Sequence, residues 1–167
     1  ISMVLVFRIN TAYDRWWEGR KLWGSLVNTS RNLAIKLNAM IEKNDLNKRK
    51  EVHALISSFP FALKEHLRGN QKPSDIIFTE QLDELEFNRI NHKPNYIAAQ
   101  LTNYVFQLCK NNNHTQHDYL LVNENINQFA DICGACERIK NTPIPYSYSI
   151  FVKKIIFLYV ITMPIAF

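Results

Sequence analysis

Residues 7–20 read Phe7-Arg8-Ile9-Asn10-Thr11-Ala12-Tyr13-Asp14-Arg15-Trp16-Trp17-Glu18-Gly19-Arg20, and they begin where an uncharged apolar run ends. The run before them, residues 1–7, carries no charged side chain. Basic residues and tryptophans concentrate at the border between lipid and water, so this change in composition is typical of a membrane boundary. A helix needs about 20 apolar residues to span a bilayer, and residues 1–7 are therefore predicted to be the end of such a helix.

A second apolar segment occupies residues 147–167, and basic side chains lie before and within it, at Arg138, Lys140, Lys153 and Lys154. Basic residues beside membrane segments favour the cytoplasmic side of the bilayer. The sequence therefore predicts the end of a transmembrane helix at residues 1–7, a cytoplasmic helical region at residues 8–146, and the start of another transmembrane helix at residues 147–167.

Composition favours an all-α protein and argues against nucleic-acid binding. The hydrophobic fraction is 47% and the charged fraction 21%, an ordinary balance for a folded domain. Glycine occurs only 4 times, and no alternating apolar run is bounded by turn dipeptides, so strands have little support. The net charge is +5, but the one tight basic run, Lys48-Arg49-Lys50, lacks the interleaved aromatic residues of nucleic-acid-binding segments.

Apolar spacing predicts one long helix followed by shorter ones. A helix over residues 1–42 is indicated by apolar residues at intervals of three, four or seven, namely Leu22, Leu26, Leu33, Leu37 and Met40. Asp45 is then a candidate N-cap for a second helix, which Pro60 is expected to kink or divide. Three more helices are predicted: a short acidic one from Thr79 to Asn88, in which Leu82, Leu85 and Phe87 pack inward, one that begins at Pro94, and one from Asp118 to Lys140. The apolar positions of the last two are Ile97, Leu101, Tyr104, Val105 and Leu108, and then Leu121, Val122, Ile126, Phe129, Ile132 and Cys133.

Two segments resemble a known family. Residues 8–24, with the run Arg15-Trp16-Trp17-Glu18-Gly19-Arg20 at their centre, look like the signature that follows the second membrane helix of bestrophin-family channels, and they are most similar to the prokaryotic branch. Far along the chain, Gly134-Ala135-Cys136-Glu137-Arg138-Ile139 and Thr142-Pro143-Ile144-Pro145-Tyr146 resemble the family's approach to its third membrane helix. The resemblance identifies the sequence as the section between these two helices.

That resemblance implies a subunit of a homopentameric membrane channel, without a cofactor, that passes small inorganic ions through a central pore. Eukaryotic members favour chloride and other anions, whereas prokaryotic relatives can favour monovalent cations. Aligned by the Arg15-Trp16-Trp17 run, Met3 and Phe7 correspond to the hydrophobic neck of the pore. The candidate cytoplasmic constriction corresponds to His117, Asp118 or Tyr119. The signature and interface positions are Arg8, Asn10, Arg15, Trp16 and Trp17.

Other readings of the same residues stay open. On periodicity alone, Met3 and Phe7 share one helix face and favour ordinary helix packing. A second hypothesis is a non-conducting, membrane-anchored helical scaffold, in which the aromatic and basic helix serves only as an interfacial anchor. Cys133 and Cys136 form a Cys-x-x-Cys pair, which could bind zinc together with Cys109, His114 or His117, or carry out dithiol chemistry. Their spacing fits no compact zinc motif, so no metal site is predicted. No pattern of catalytic residues appears either, and the sequence predicts that the protein is not an enzyme.

Overall fold

The computed structural model describes residues 2–69, 75–111, 116–143 and 146–166, and within these ranges it contains α-helices and no β-strand. This confirms the predicted all-α class. The helices are α1 (Ser2–Met40), α2 (Leu46–Arg68), α3 (Glu84–Arg89), α4 (Lys93–Asn111), α5 (Gln116–Asn141) and α6 (Tyr146–Ala166). The chain divides into two compact units, one formed by Ile1–Lys21 with Arg138–Phe167 and the other by Leu22–Glu137.

Helix α1 is 39 residues long and ends close to the predicted boundary. Leu26, Leu33 and Leu37 are at most 1% exposed, so the leucine spacing correctly marks the face that packs inward. After α1, the Asp45 carboxylate accepts a hydrogen bond from the Lys48 backbone N–H at 3.1 Å. Asp45 is therefore the N-cap of α2, as predicted, because it satisfies one of the N–H groups that a helix start leaves unpaired.

The sequence predicts that Pro60 kinks or divides this helix, and of these two outcomes the division does not occur, because α2 runs through Pro60 to Arg68. A proline inside a helix removes one backbone hydrogen bond. Here Phe59 and Leu63, on either side of it, are fully buried, and their packing favours one continuous helix over a break. The helix ends at Gly69, whose φ of 78° is the left-handed conformation that glycine adopts most easily, and whose N–H donates to the carbonyls of Glu65 and His66.

Helix α3 is shorter than predicted, because it begins at Glu84 instead of Thr79. The backbones of Thr79 and Leu82 hydrogen-bond to each other in a turn, and Asp83 then caps the helix. Leu82 and Phe87 are fully buried, as expected from the sequence. Leu85, which was also expected to pack inward, is 70% exposed, because a helix of six residues can turn only one narrow face to the core.

The core of the Leu22–Glu137 unit lies among α1, α2, α4 and α5. Phe59 of α2 stacks on Phe129 of α5 with ring centroids 4.5 Å apart. Polar contacts also join α1 to α5: the Thr29 hydroxyl donates to the Gln128 side chain at 2.9 Å, and the Lys36 ammonium donates to Asn125 Oδ1 at 2.7 Å. Most apolar positions predicted for α4 and α5 are buried, but Leu121, predicted on the inner stripe of α5, is 59% exposed.

Helix α6 belongs to the other unit and is apolar on much of its surface. Val152 is fully buried, but farther along the helix most large apolar side chains are exposed, including Phe157, Leu158, Val160, Ile161 and Met163. In the described part of the chain, no helix combines the length and the apolar composition that crossing a membrane requires.

Candidate functional site

The N-terminal part of α1 exposes a nearly continuous series of apolar and aromatic side chains. Phe7, Ile9 and Trp16 are 52%, 65% and 60% exposed, and their neighbours Val6, Tyr13 and Trp17 are also exposed. Large apolar side chains that are exposed together usually mark a surface that contacts lipid or another protein. In the described part of the chain, these side chains therefore stay exposed.

Three aromatic rings of this segment form a cluster on the helix surface. The Tyr13 ring lies 5.7 Å from Trp16 and 6.5 Å from Trp17, measured between ring centroids, and it is nearly parallel to the Trp17 ring. Tyrosine and tryptophan combine an apolar ring with a hydrogen-bonding group, which suits a border between apolar and aqueous surroundings. Trp16 and Trp17 are thus exposed side by side, and their interfacial role stays a prediction.

Phe7 and Thr11 lie one turn apart on α1. The Thr11 hydroxyl donates to the Phe7 carbonyl at 2.9 Å, so the helix itself satisfies this hydroxyl. Arg8 and Asn10, two of the predicted signature positions, are exposed. The side chain of Met3, the other predicted neck residue, lies outside the described residues. The structure thus gives Phe7 an exposed position, and the neck assignment stays a prediction.

Arg15 joins the two segments that carry the family resemblance. Its guanidinium donates to the Ile139 carbonyl at 2.5 Å and to the Thr142 carbonyl. Ile139 lies in the last turn of α5, where the carbonyls of a helix have no partner within the helix, and Thr142 directly follows that helix. A cation is also favoured there by the helix dipole. Beside this contact, Arg138 donates to Glu18 at 2.5 Å, so residues far apart in sequence form one polar junction.

The three candidates for a cytoplasmic constriction lie in the first turn of α5. His117 is exposed, and Asp118 occupies a position where a helix start favours negative charge. Tyr119 packs its ring edge-on against Phe106 of α4, with centroids 5.9 Å apart, and its hydroxyl donates to Asn123 at 3.4 Å. His117 is therefore the most exposed of the three, while Tyr119 packs against α4.

Cys133 and Cys136 are buried on the inner face of α5, and neither forms a disulfide. Burial raises the pKa of the Cys133 thiol to about 12, with a smaller contribution from the neighbouring Glu137 carboxylate. A thiol must lose its proton to act as a nucleophile, so this environment opposes dithiol chemistry. Of the further zinc ligands that the sequence suggests, His117 is exposed and Cys109 is buried, and His114 lies outside the described residues. The zinc set suggested by the sequence is thus not assembled in the described part of the chain.

A different group of ligating atoms is assembled instead. The Glu137 carboxylate oxygen Oε1 accepts hydrogen bonds from His66 Nε2 at 2.6 Å and from His92 Nε2 at 2.8 Å. His66 lies in the last turn of α2, His92 directly precedes α4, and Glu137 lies on α5. The sequence alone does not reveal this group, because its members are widely separated and match no local motif. Only the long-range packing of α2, α4 and α5 brings them together.

Hydrogen bonds from the two histidines favour the ionised form of Glu137. Partial burial opposes ionisation of Glu137, but the hydrogen bonds from the two imidazoles outweigh it and lower the pKa of the Glu137 carboxyl. Glu137 is therefore a carboxylate at neutral pH. His92 Nδ1 accepts a hydrogen bond from the Asn95 backbone N–H at 3.3 Å, which places the ring proton on Nε2, where it is donated to Glu137.

Comparison with known proteins supports the family resemblance of residues 8–24 and 134–146. A model of the bacterial and fungal bestrophin family matches residues 1–167. A voltage-dependent anion channel-forming protein of Nostoc sp. strain PCC 7120 is 40% identical over 172 aligned positions, which cover 98% of this chain and 55% of the relative. A protein of the same description from Synechocystis sp. strain PCC 6803 is 34% identical, with coverage of 98% and 55%.

The fold is also that of a solved structure. The crystal structure of a bacterial bestrophin homolog from Klebsiella pneumoniae has a TM-score of 0.86 and 23% identity, over 98% of this chain and 62% of that one. The chain spans about half the length of the curated relatives it matches. With a family match over its whole length and the Arg15 junction between its two signature segments, the chain belongs to the bacterial and fungal bestrophin family.

Proposed function

We propose that this chain is the section of a bestrophin-like ion channel subunit that runs from the end of one membrane helix to the start of another. The observation that carries the proposal is the exposed apolar and aromatic surface of α1 in a chain that matches the bestrophin family throughout. Contact of so many apolar side chains with water is unfavourable, and lipid or other subunits would remove them from water. A ring of five subunits would bring five copies of α1 around a central pore.

Within this ring, Phe7 and Met3 would form the hydrophobic neck. A narrow apolar passage stops ions because they cannot shed their water there, and it conducts once it widens and becomes wet. The exposed position of Phe7 supports this assignment, and the Thr11 hydroxyl one turn away donates its hydrogen bond to its own helix. His117, with Asp118 and Tyr119 beside it, would line the cytoplasmic constriction.

The proposed topology places residues 8–146 in the cytoplasm, between membrane helices that include residues 1–7 and 147–167. Cysteine labelling on intact cells tests it. An introduced cysteine at position 112, Asn112→Cys, should resist an impermeant thiol reagent added outside and should react in inverted membrane vesicles. The three cysteines of this chain are buried and so add little background, and any others in the full-length protein are replaced by serine. Rapid labelling of Asn112→Cys from outside intact cells would contradict the topology.

Selectivity for chloride and other anions is favoured by the names of the two relatives, which are described as anion channel-forming. Monovalent cations are the other candidate from the family resemblance. The net charge of +5 does not choose between them, because pore-lining groups set selectivity.

Electrical recording of the full-length protein tests the function. In a planar bilayer, we expect discrete channel currents, and the reversal potential in a potassium chloride gradient should have the sign of a permeant anion. Light scattering of the same detergent-solubilised preparation should give the mass of a pentamer. An intact oligomer without currents would instead favour the second candidate, a membrane-anchored helical scaffold. That candidate is supported by the interfacial character of Tyr13, Trp16 and Trp17.

A further inference from the structure

We propose that His66, His92 and Glu137 form a binding site for a divalent transition metal ion of the zinc class. One ligating atom from each of the three side chains lies within 4.8 Å of the other two. The three come from separate elements, namely the end of α2, the residue before α4, and α5. The site is distinct from the cysteine pair considered from the sequence, and it does not depend on whether the protein conducts ions.

The donor chemistry selects the class of metal. Two imidazole nitrogens and one carboxylate oxygen form a ligand set that suits zinc and its first-row neighbours, whereas calcium and magnesium prefer oxygen donors alone. The side chains of His66, His92 and Glu137 are 27%, 36% and 28% exposed. An ion can therefore reach them from solvent, and a water molecule can complete a tetrahedral coordination shell.

Only small movements are needed to admit the ion. The two nitrogens now lie 2.6 and 2.8 Å from the shared Glu137 oxygen. Ligand atoms about 2.1 Å from a tetrahedral zinc ion are about 3.4 Å apart, so each hydrogen bond must open by about 0.6–0.8 Å. The imidazole rings already face one another with centroids 4.5 Å apart. Small rotations of these partly exposed side chains supply that space.

Metal binding would also change one hydrogen bond at the start of α4. Coordination through His92 Nε2 requires the ring proton on Nδ1, so Nδ1 could no longer accept from the Asn95 N–H. At 3.3 Å that bond is long, and its loss opposes metal binding only weakly. Cys133 Sγ donates to Glu137 Oε1 at 3.8 Å and lies outside the three-residue group, so the thiol is not counted as a ligand.

Zinc binding to the full-length protein in detergent tests the proposal. After removal of metal by a chelator, titration with zinc chloride should reveal about one ion bound per subunit, and zinc should raise the thermal unfolding temperature. Glutamine in place of either histidine can still donate to Glu137, so His66→Gln and His92→Gln preserve the hydrogen bonds while removing a ligand nitrogen. Each should weaken zinc binding by more than the roughly 10- to 100-fold effect of losing an outer-shell partner.

His53→Gln is the matched control, because His53 is an exposed histidine on the same helix, α2. It should bind zinc as the wild type does, and Glu137→Gln should lose binding together with the zinc-dependent rise in unfolding temperature. The proposal is overturned if the wild type binds no zinc. It is also overturned if His66→Gln, His92→Gln and Glu137→Gln, each folded without metal, bind zinc as tightly as the wild type does.

Discussion

Replacing Phe7 by alanine is expected to increase channel conductance or open probability in the full-length protein, and Met3→Ala is expected to do so to a smaller degree. In the proposed ring, each substitution acts on every subunit, so Phe7→Ala would remove a phenyl ring from each copy of α1 at the same level of the proposed pore. The passage then widens and its lining excludes water less strongly, which lowers the barrier to ions. Met3→Ala changes less, because a flexible methionine can already move aside.

Ile9 provides the control for the neck. It is also a large apolar side chain on α1 and is 65% exposed, but two residues along a helix it faces away from Phe7. Ile9→Ala should therefore leave the currents unchanged. Ion preference should also be the same in all three variants if selectivity is set elsewhere. Folded oligomers with wild-type currents in both Phe7→Ala and Met3→Ala would show that these side chains only pack between helices.

Features of the fold that depend on neighbouring residues were predictable from the sequence. The leucines of α1 were placed correctly because helix periodicity alone decides which face is apolar. The Asp45 cap was placed correctly because a capping side chain bonds to a backbone N–H only three residues away. Leu85 and Leu121 were misplaced because periodicity shows that a side chain is apolar, but not whether another helix covers it.

Features that depend on distant parts of the chain were not predictable in the same way. The continuity of α2 through Pro60 depends on the burial of Phe59, which stacks on Phe129 some 70 positions along the chain. The His66, His92 and Glu137 group depends on where three helices meet. Arg15 was singled out as a signature residue, but only the structure shows its acceptors. The sequence thus identified important side chains more readily than their partners.

Arg15→Met is expected to destabilise the protein by about 2 kcal/mol. Hydrogen bonds from a charged group contribute about 1.5–3 kcal/mol each, and the partial exposure of Arg15 keeps the total near the lower end of that range. Methionine keeps the apolar stem but leaves the Ile139 and Thr142 carbonyls without their donor. Arg15→Lys should lie between wild type and Arg15→Met, because a lysine can place its charge there but lacks the planar fork that reaches both carbonyls.

The measurement is the thermal unfolding temperature of the full-length protein in detergent, together with its oligomeric mass. Arg20→Met is the matched control, because Arg20 is an exposed arginine on the same helix and its loss should change stability by no more than about 0.5 kcal/mol. Glu18→Gln weakens only an exposed ion pair with Arg138 and should cost less than about 1 kcal/mol. If Arg15→Met and Arg20→Met lower the unfolding temperature equally, the junction with α5 does not stabilise the protein. Arg15 would then matter only for contacts outside this chain.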